Sequence, residues 1–129
     1  MILDSTFLID VLRGADGVED LISDLDASGA AYVSAVTAME LFEGIHLADA
    51  TEREQAAVET LLTDVNELPF DRECAMRAGR ISADLTSAGT SVDVADVMIG
   101  ATALVHERPV VTRNVDHFDR IEGIEVISY

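Results

Sequence analysis

Short apolar runs alternate with segments whose apolar residues fall at helical spacing. That alternation restricts the chain to a parallel sheet covered by helices on both faces. The runs are Met1 to Asp4, Ala31 to Ser34, Leu68 to Phe70, Pro109 to Thr112 and Glu125 to Ser128. They are too short and too apolar for strands with one wet face, and buried parallel strands read this way. Between them, Ser5 can cap a helix carrying Phe7, Leu8, Val11 and Leu12, stopped by Gly14. A second helix is expected from Gly17 to Ala27, with Val18, Leu21, Ile22 and Leu25 on one face and Ser28-Gly29 as its stop. A third runs from about Val36 to Ala48. Thr51 and Glu54 have capping-box spacing and open a helix whose apolar face is Val58, Leu61, Leu62 and Val65. Asp71 caps a helix to about Ser87, ending at Gly89, and another runs from Asp93 to about His106. No linker or repeat interrupts the pattern, so residues 1–129 read as one α/β domain. In such folds crossovers are right-handed, and function sits outside the carboxyl ends of the strands. Attention falls on Asp4, Ser34 and its helix, Asp71, and the segment after Thr112.

Composition narrows the function classes. Hydrophobic residues are 49% of the chain, which excludes a disordered acidic tail; with 5% aromatics and no Trp the core must be aliphatic. Cys74 is the single cysteine, so an internal disulfide and a cysteine-rich zinc site are excluded. No apolar run approaches the ~20 residues of a membrane helix, and no secretory signal pattern is present, so a cytoplasmic address is expected. The charge is unusual: 25 Asp+Glu against 8 Lys+Arg gives −17, and every base is Arg. Net charge of that size ordinarily repels polyanions. Acids spread over a globular core without lysine also suit a protein adapted to high salt, where at about 1 M the screening length is about 3 Å. A halophilic cytosol is the expectation. The charge then does not veto a nucleic-acid substrate, though it leaves no basic footprint to support one.

Most of the acids are solvated surface, so the informative ones are those at strand ends or on apolar faces. Asp4 ends the first strand and could instead simply cap the first helix. Glu40 stands among Met39, Leu41 and Phe42, where a carboxylate is not buried without a partner; the plainer reading is that it faces solvent, as Glu43 does. Asp93 and Asp96 share a face at the start of the most apolar helix. There acids also favour the positive end of the helix dipole, and Asp93 reads most simply as the N-cap. After the next strand come Thr112, Arg113, Asn114 and Asp116, which turn chemistry alone would also explain. Carboxylates converging from distant parts of the chain cannot all stay ionised unaided, and a divalent cation resolves the conflict. Oxygen-only ligands favour Mg²⁺ or Mn²⁺, the usual setting for phosphoester chemistry. There is no nucleophilic triad, P-loop or GxGxxG; the three His are scattered, and Cys74 reads as core.

Four stretches resemble the PIN-domain ribonucleases, and among them the VapC toxins of VapBC toxin–antitoxin modules. They are Met1 to Ile9 with Asp4, Thr37 to Phe42 with Glu40, Asp96 to Leu104, and Val111 to Phe118 with Asn114. The resemblance spans essentially the whole chain. It implies a PIN-like three-layer α/β/α sandwich with a central parallel sheet of about five strands. It also implies a Mg²⁺ or Mn²⁺ site in which Asp4 and Asp96 are direct ligands and Glu40 orients a bound water or holds a second cation. The family's fourth position is often Asp; Asn114 aligns with it here, adds no charge, and puts a second metal in doubt, with Asp116 as a possible substitute. Ser5 and Thr112 would hold the ligating carboxylates, with Asp93 at the rim, and Arg113 would be the nearest base to a phosphate. The implied activity is hydrolysis of single-stranded regions of cellular RNA, tRNA or rRNA, leaving a 5′-phosphate and a 3′-hydroxyl and stopping translation. The implied partners are a VapB-type antitoxin laid in a groove over the metal site and a second copy of the chain. Helices Thr51–Val65 and Asp71–Ser87, through Val58, Leu61, Cys74, Ala78 and Ile81, are the candidate dimer faces; core packing explains those residues equally well.

Other classes fit less well. A receiver-like signalling module needs paired acids after the first strand and a late Lys, and this chain has no Lys. A phosphatase of the haloacid-dehalogenase type needs Asp-x-Asp, where this chain has Asp4-Ser5-Thr6. A catalytically degenerate PIN protein that binds RNA or a partner without cutting is kept open by Asn114.

Overall fold

The computed structural model describes residues 1–28 and 31–129. The chain runs β1 (Ile2–Leu3), α1 (Ser5–Arg13), α2 (Glu19–Ser28), β2 (Tyr32–Ser34), α3 (Ala35–Leu47) and α4 (Glu52–Thr63). It continues through β3 (Asn66–Leu68), α5 (Arg72–Ser87), α6 (Val94–Val105), β4 (Val110–Val111), α7 (Val115–Asp119) and β5 (Val126–Ile127). All strand pairs are parallel, in the order β3-β2-β1-β4-β5, so β1 is central.

The two-residue period of a strand divides the core between two layers. Ile2 and Val110 enter one apolar cluster with Ala78, Ile81 and Leu85 of α5, Val97, Ile99 and Ala101 of α6, and Phe118 of α7. Leu3 and Val111, next in sequence, enter the other with Phe7 and Leu8 of α1, Leu41 and Ile45 of α3, and Val58 of α4. Both faces of the sheet are therefore dry, as its uniformly apolar central strands require. The expected three-layer sandwich with five parallel strands is what the structure shows. Packing against α6 is close: a Cβ on Gly100 would meet Ile121 Cδ1 and Ile124 Cδ1 at 2.8 Å.

Several boundaries move, each for a local reason. The third strand is Asn66–Leu68 rather than Leu68–Phe70, because Pro69 has no N–H to continue the ladder. This edge strand exposes Asn66 and Glu67, so an apolar pattern could not reveal it. Helix α2 starts at Glu19, since Gly17 has φ 89°. Helix α4 stops at Thr63, short of Val65, but its Thr51–Glu54 capping box is present in both directions. Helix α7 was not anticipated. The expected stop at Gly29 and the side chain of Leu25 lie outside the described residues. Among the described residues no helix is long and apolar enough to cross a membrane.

Candidate metal centre at the carboxyl edge of the sheet

Asp4 follows the central strand directly. Its backbone N–H donates to Val111 O at 2.9 Å, so the ladder with β4 fixes where the side chain emerges. Asp4 occupies the N-cap position of α1, yet its side chain makes no cap hydrogen bond; Ser5 is the first helical residue rather than the cap. Instead Asp4 Oδ2 accepts from Thr112 Oγ1 at 2.7 Å and from Thr6 Oγ1 at 3.0 Å. Asp4 Oδ1 is buried with no hydrogen-bond partner. A buried charged oxygen left without a donor costs about 1–3 kcal/mol or more, a cost that a water or a cation at that atom would offset.

Glu40 and Asp96 reach the same edge from α3 and α6. Glu40 is half-buried, and its Oε1 is likewise buried without a partner. Burial first, then the charges of Asp4 and Asp96, push its carboxyl up to about 7, against a hydrogen bond from Ser5 that works the other way. Asp96 is buried in the first turn of α6. Burial raises its pKa most, the His117 hydrogen bond opposes this, and the Asp4 charge adds to the rise. The Asp4 charge thus bears on both Glu40 and Asp96.

The remaining expected residues divide. Thr112 is fully buried on Asp4, and its Oγ1 also accepts from Asn114 N at 2.9 Å. Asn114 is half-buried at the N-cap of α7 with its side chain making no cap bond. Arg113, Asn114, Asp116 and His117, with Val115, line a cavity of about 190 Å³. Asp93 and Asp116 are exposed, and Asp93 makes no side-chain cap bond. Of the other strand-end residues, Asp71 accepts from Cys74 N at 3.0 Å and Ser34 from Val36 N at 3.1 Å; both act as helix caps.

Sequence reasoning missed Thr6 and His117. His117 Nδ1 lies 2.8 Å from Asp96 Oδ2. The signal was present: Phe118 must enter the core, which places His117 on a helical turn beside it. Among the described residues no three His, Cys, Asp or Glu side chains are gathered tightly enough, as they stand, to enclose a metal ion. The donor set nonetheless suits a hard dication. Its free oxygens, Asp4 Oδ1 and Glu40 Oε1, match Mg²⁺ chemistry, in which one or two carboxylates bind directly and water fills the remaining positions.

The class defined so far is an α/β sandwich with acids converging past its central strand, and the comparisons narrow it. The PIN domain family matches residues 1–124. A tRNA(fMet)-specific endonuclease VapC of Salmonella typhimurium is 37% identical over 94 residues, 73% of this chain and 71% of that protein. Ribonuclease VapC19 of Mycobacterium tuberculosis is 31% identical over 124 residues, 96% of each chain. Among solved structures, DNA-bound VapBC from Salmonella typhimurium superposes with TM-score 0.89 at 30% identity, covering 98% of this chain and 96% of that one. VapBC2 from Rickettsia felis bound to a promoter DNA fragment gives TM-score 0.91 over 99% and 97% of the chains, at 19% identity, a likeness of fold alone. The chain belongs to the PIN domain family, among its VapC-type ribonucleases.

Proposed function

We propose that the chain is a Mg²⁺- or Mn²⁺-dependent endoribonuclease that cuts single-stranded regions of tRNA or rRNA, halts translation, and is held in check by a VapB-type antitoxin. The observation that carries this reading is the pair of buried oxygens without partners, Asp4 Oδ1 and Glu40 Oε1, beside an Asp4 charge that raises the pKa of both Glu40 and Asp96. The nuclease names of the VapC relatives support it.

Asp4, Asp96 and Glu40 would hold the cation. When bound, it supplies activation of a water and neutralisation of charge on the phosphorus oxygens. Thr112 and Thr6 hold Asp4 by Oδ2, which leaves Oδ1 as the donor atom. Without the cation, burial and the charges of Asp4 and Asp96 hold the Glu40 carboxyl up at about 7; a bound dication would favour its ionised form. Asn114 and Asp116 border the adjoining cavity, where substrate would lie.

The antitoxin reading has support of its own. A cavity of about 300 Å³ between α1, α3 and α4 is lined by Ile9, Leu12, Leu41, Ile45 and Val58 and extends to Glu40. An apolar segment laid there would end at the carboxylates, where a basic side chain would make charge-assisted bonds. Two solved neighbours at 30% identity support it: the DNA-bound VapBC of Salmonella typhimurium, with TM-score 0.89, and VapBC-5 of Mycobacterium tuberculosis, with TM-score 0.74. A homodimer is also proposed, but Val58, Cys74, Ala78 and Ile81 are buried in the core and Leu61 packs against it, so these residues do not form its face. We further propose a cytoplasm rich in KCl. Melting temperature should rise steeply with KCl, and full stability at low salt would contradict this.

A second reading, a non-cutting PIN protein that binds RNA or a partner, is favoured by His117 on Asp96 and by the absence of a tight ligand cluster among the described residues. One assay separates them. Purified protein is incubated with total RNA in KCl with Mg²⁺, Mn²⁺ or EDTA, beside Asp4→Asn and Asp96→Asn. Cation-dependent cleavage lost in both variants is expected; metal-independent cleavage, or cleavage undiminished in both, overturns the mechanism, and no cleavage at all favours the second reading.

A further inference from the structure

Outside the carboxylate edge, one buried acid has no role in the site as built so far. Asp10 lies in the apolar stretch Phe7 to Leu12 of α1 and is 5% exposed. A carboxylate so placed needs partners. Tyr129 Oη donates to its Oδ2 at 2.6 Å, and Arg113 Nη1 stands 3.4 Å from its Oδ1. Tyr129 is itself fixed, edge-on to Phe7 with ring centroids 5.1 Å apart. Burial and the Asp10 contact push its hydroxyl up to about 12, so it stays a neutral donor.

The pair is asymmetric. The Asp10 side chain is 7% exposed and the Arg113 side chain 59% exposed, so the acid is anchored and the base is open. Guanidinium carries five N–H donors, and one turned to Asp10 leaves the others free. Arg113 N donates to Thr6 Oγ1 at 3.1 Å, and that hydroxyl donates to Asp4 Oδ2 at 3.0 Å. The Arg113 backbone therefore sits one hydroxyl away from Asp4, and among the residues lining the 190 Å³ cavity Arg113 alone carries a permanent positive charge. On a chain of net charge −17, a polyanion needs such a local cation.

We propose that Asp10 is a positioning residue: with Tyr129 it fixes Arg113 beside the cavity so that the guanidinium takes a backbone phosphate of the RNA next to the one that is cut. This rests on the nuclease reading above and deepens it. A phosphate contact of this kind orients the strand without reading its sequence.

The test is a double-mutant cycle on cleavage of a single-stranded RNA, with kcat and KM measured separately for wild type, Asp10→Asn, Arg113→Ala, Arg113→Lys, Tyr129→Phe and the Asp10→Asn/Arg113→Ala pair. Arg113→Ala should raise KM about tenfold with kcat nearly unchanged. Arg113→Lys should not rescue it, since a lysine lacks the fork that can serve Asp10 and phosphate together. Asp10→Asn should raise KM severalfold, Tyr129→Phe by less, and Asp10→Asn should add nothing once Arg113 is Ala. If Asp10 only staples the C-terminal segment to α1, its substitution will lower the melting temperature and kcat, and its effect will persist in the Arg113→Ala background; that result overturns the assignment alone. A wild-type chain that cuts no RNA overturns the nuclease reading and this assignment with it.

Discussion

Two junctions in this molecule are written alike and used differently. At each, a short strand is followed by an aspartate at the N-cap position of a helix: Asp4 between β1 and α1, Asp71 between β3 and α5. Asp71 follows the edge strand, is exposed, and accepts from Cys74 N, which holds its carboxyl below the usual range. Asp4 follows the central strand, is 1% exposed, and leaves its own helix uncapped. Its carboxylate is taken instead by Thr112, from the neighbouring strand, and by Thr6. The difference lies in the sheet order rather than in the local sequence. A central strand has neighbours on both sides whose carboxyl ends can gather around it, and of these two aspartates it is Asp4 that keeps a buried oxygen without a donor.

The widest contrast between the junctions should come from matched substitutions. Asp4→Asn should reduce RNA cleavage by about a hundredfold or more while the far-UV circular dichroism stays native. Asp71→Asn should leave cleavage intact and shift the melting temperature little, because the Asn side-chain oxygen still accepts from Cys74 N and caps about as well. Equal activity of the two variants would break the comparison.

A smaller effect sharpens the role of the neighbouring strand. Thr112→Val removes the donor held 2.7 Å from Asp4 and should lower cleavage by about tenfold, within the range for partners of ligating carboxylates. Cleavage rates of this variant and of Thr6→Val would show whether one hydroxyl suffices; unchanged rates in both would remove the supporting role.

The junctions should also respond to acid in opposite directions. At the site, Glu40 has its folded pKa raised from 4.5 to about 7 and Asp96 is raised as well, so protonation favours the folded state there. That stabilisation is full below pH 4.5 and is lost as pH rises through about 7. At Asp71 the folded pKa is lowered from 3.8, so its contribution is present above that value and lost as pH falls below it. In EDTA, the melting temperature of the wild type should rise between pH 8 and pH 5 by the equivalent of about 1 kcal/mol, after allowance for solvent screening of the half-exposed Glu40. Glu40→Gln should flatten most of that slope; an unchanged slope would place its origin elsewhere.

Much of this was readable in the sequence, and most of what was not depends on the order of the strands. β1, Asp4, the Thr51–Glu54 box, the Asp71 cap and the acid at the head of α6 follow from local rules of periodicity and capping. β3 did not, because this edge strand carries Asn66 and Glu67 where its neighbour β2 carries Tyr32 and Val33. The pairings of His117 with Asp96, Thr6 with Asp4 and Tyr129 with Asp10 join residues 21, 2 and 119 positions apart. The first and last depend on which strand ends lie side by side, and no local rule states that. Asp10 was the most recoverable of these. The reasoning applied to Glu40, that a carboxylate within an apolar helix needs a partner, applies equally to Asp10 between Ile9 and Val11.

The central claim is that Asp4 Oδ1 is held free for a cation. Calorimetric titration of Mn²⁺ into the metal-free protein tests it without relying on turnover. Saturable binding by the wild type, weakened by at least tenfold in Asp4→Asn and unchanged in Asp71→Asn, is the predicted result. Mn²⁺ that binds Asp4→Asn as tightly as the wild type, or that fails to bind the wild type, would contradict the account.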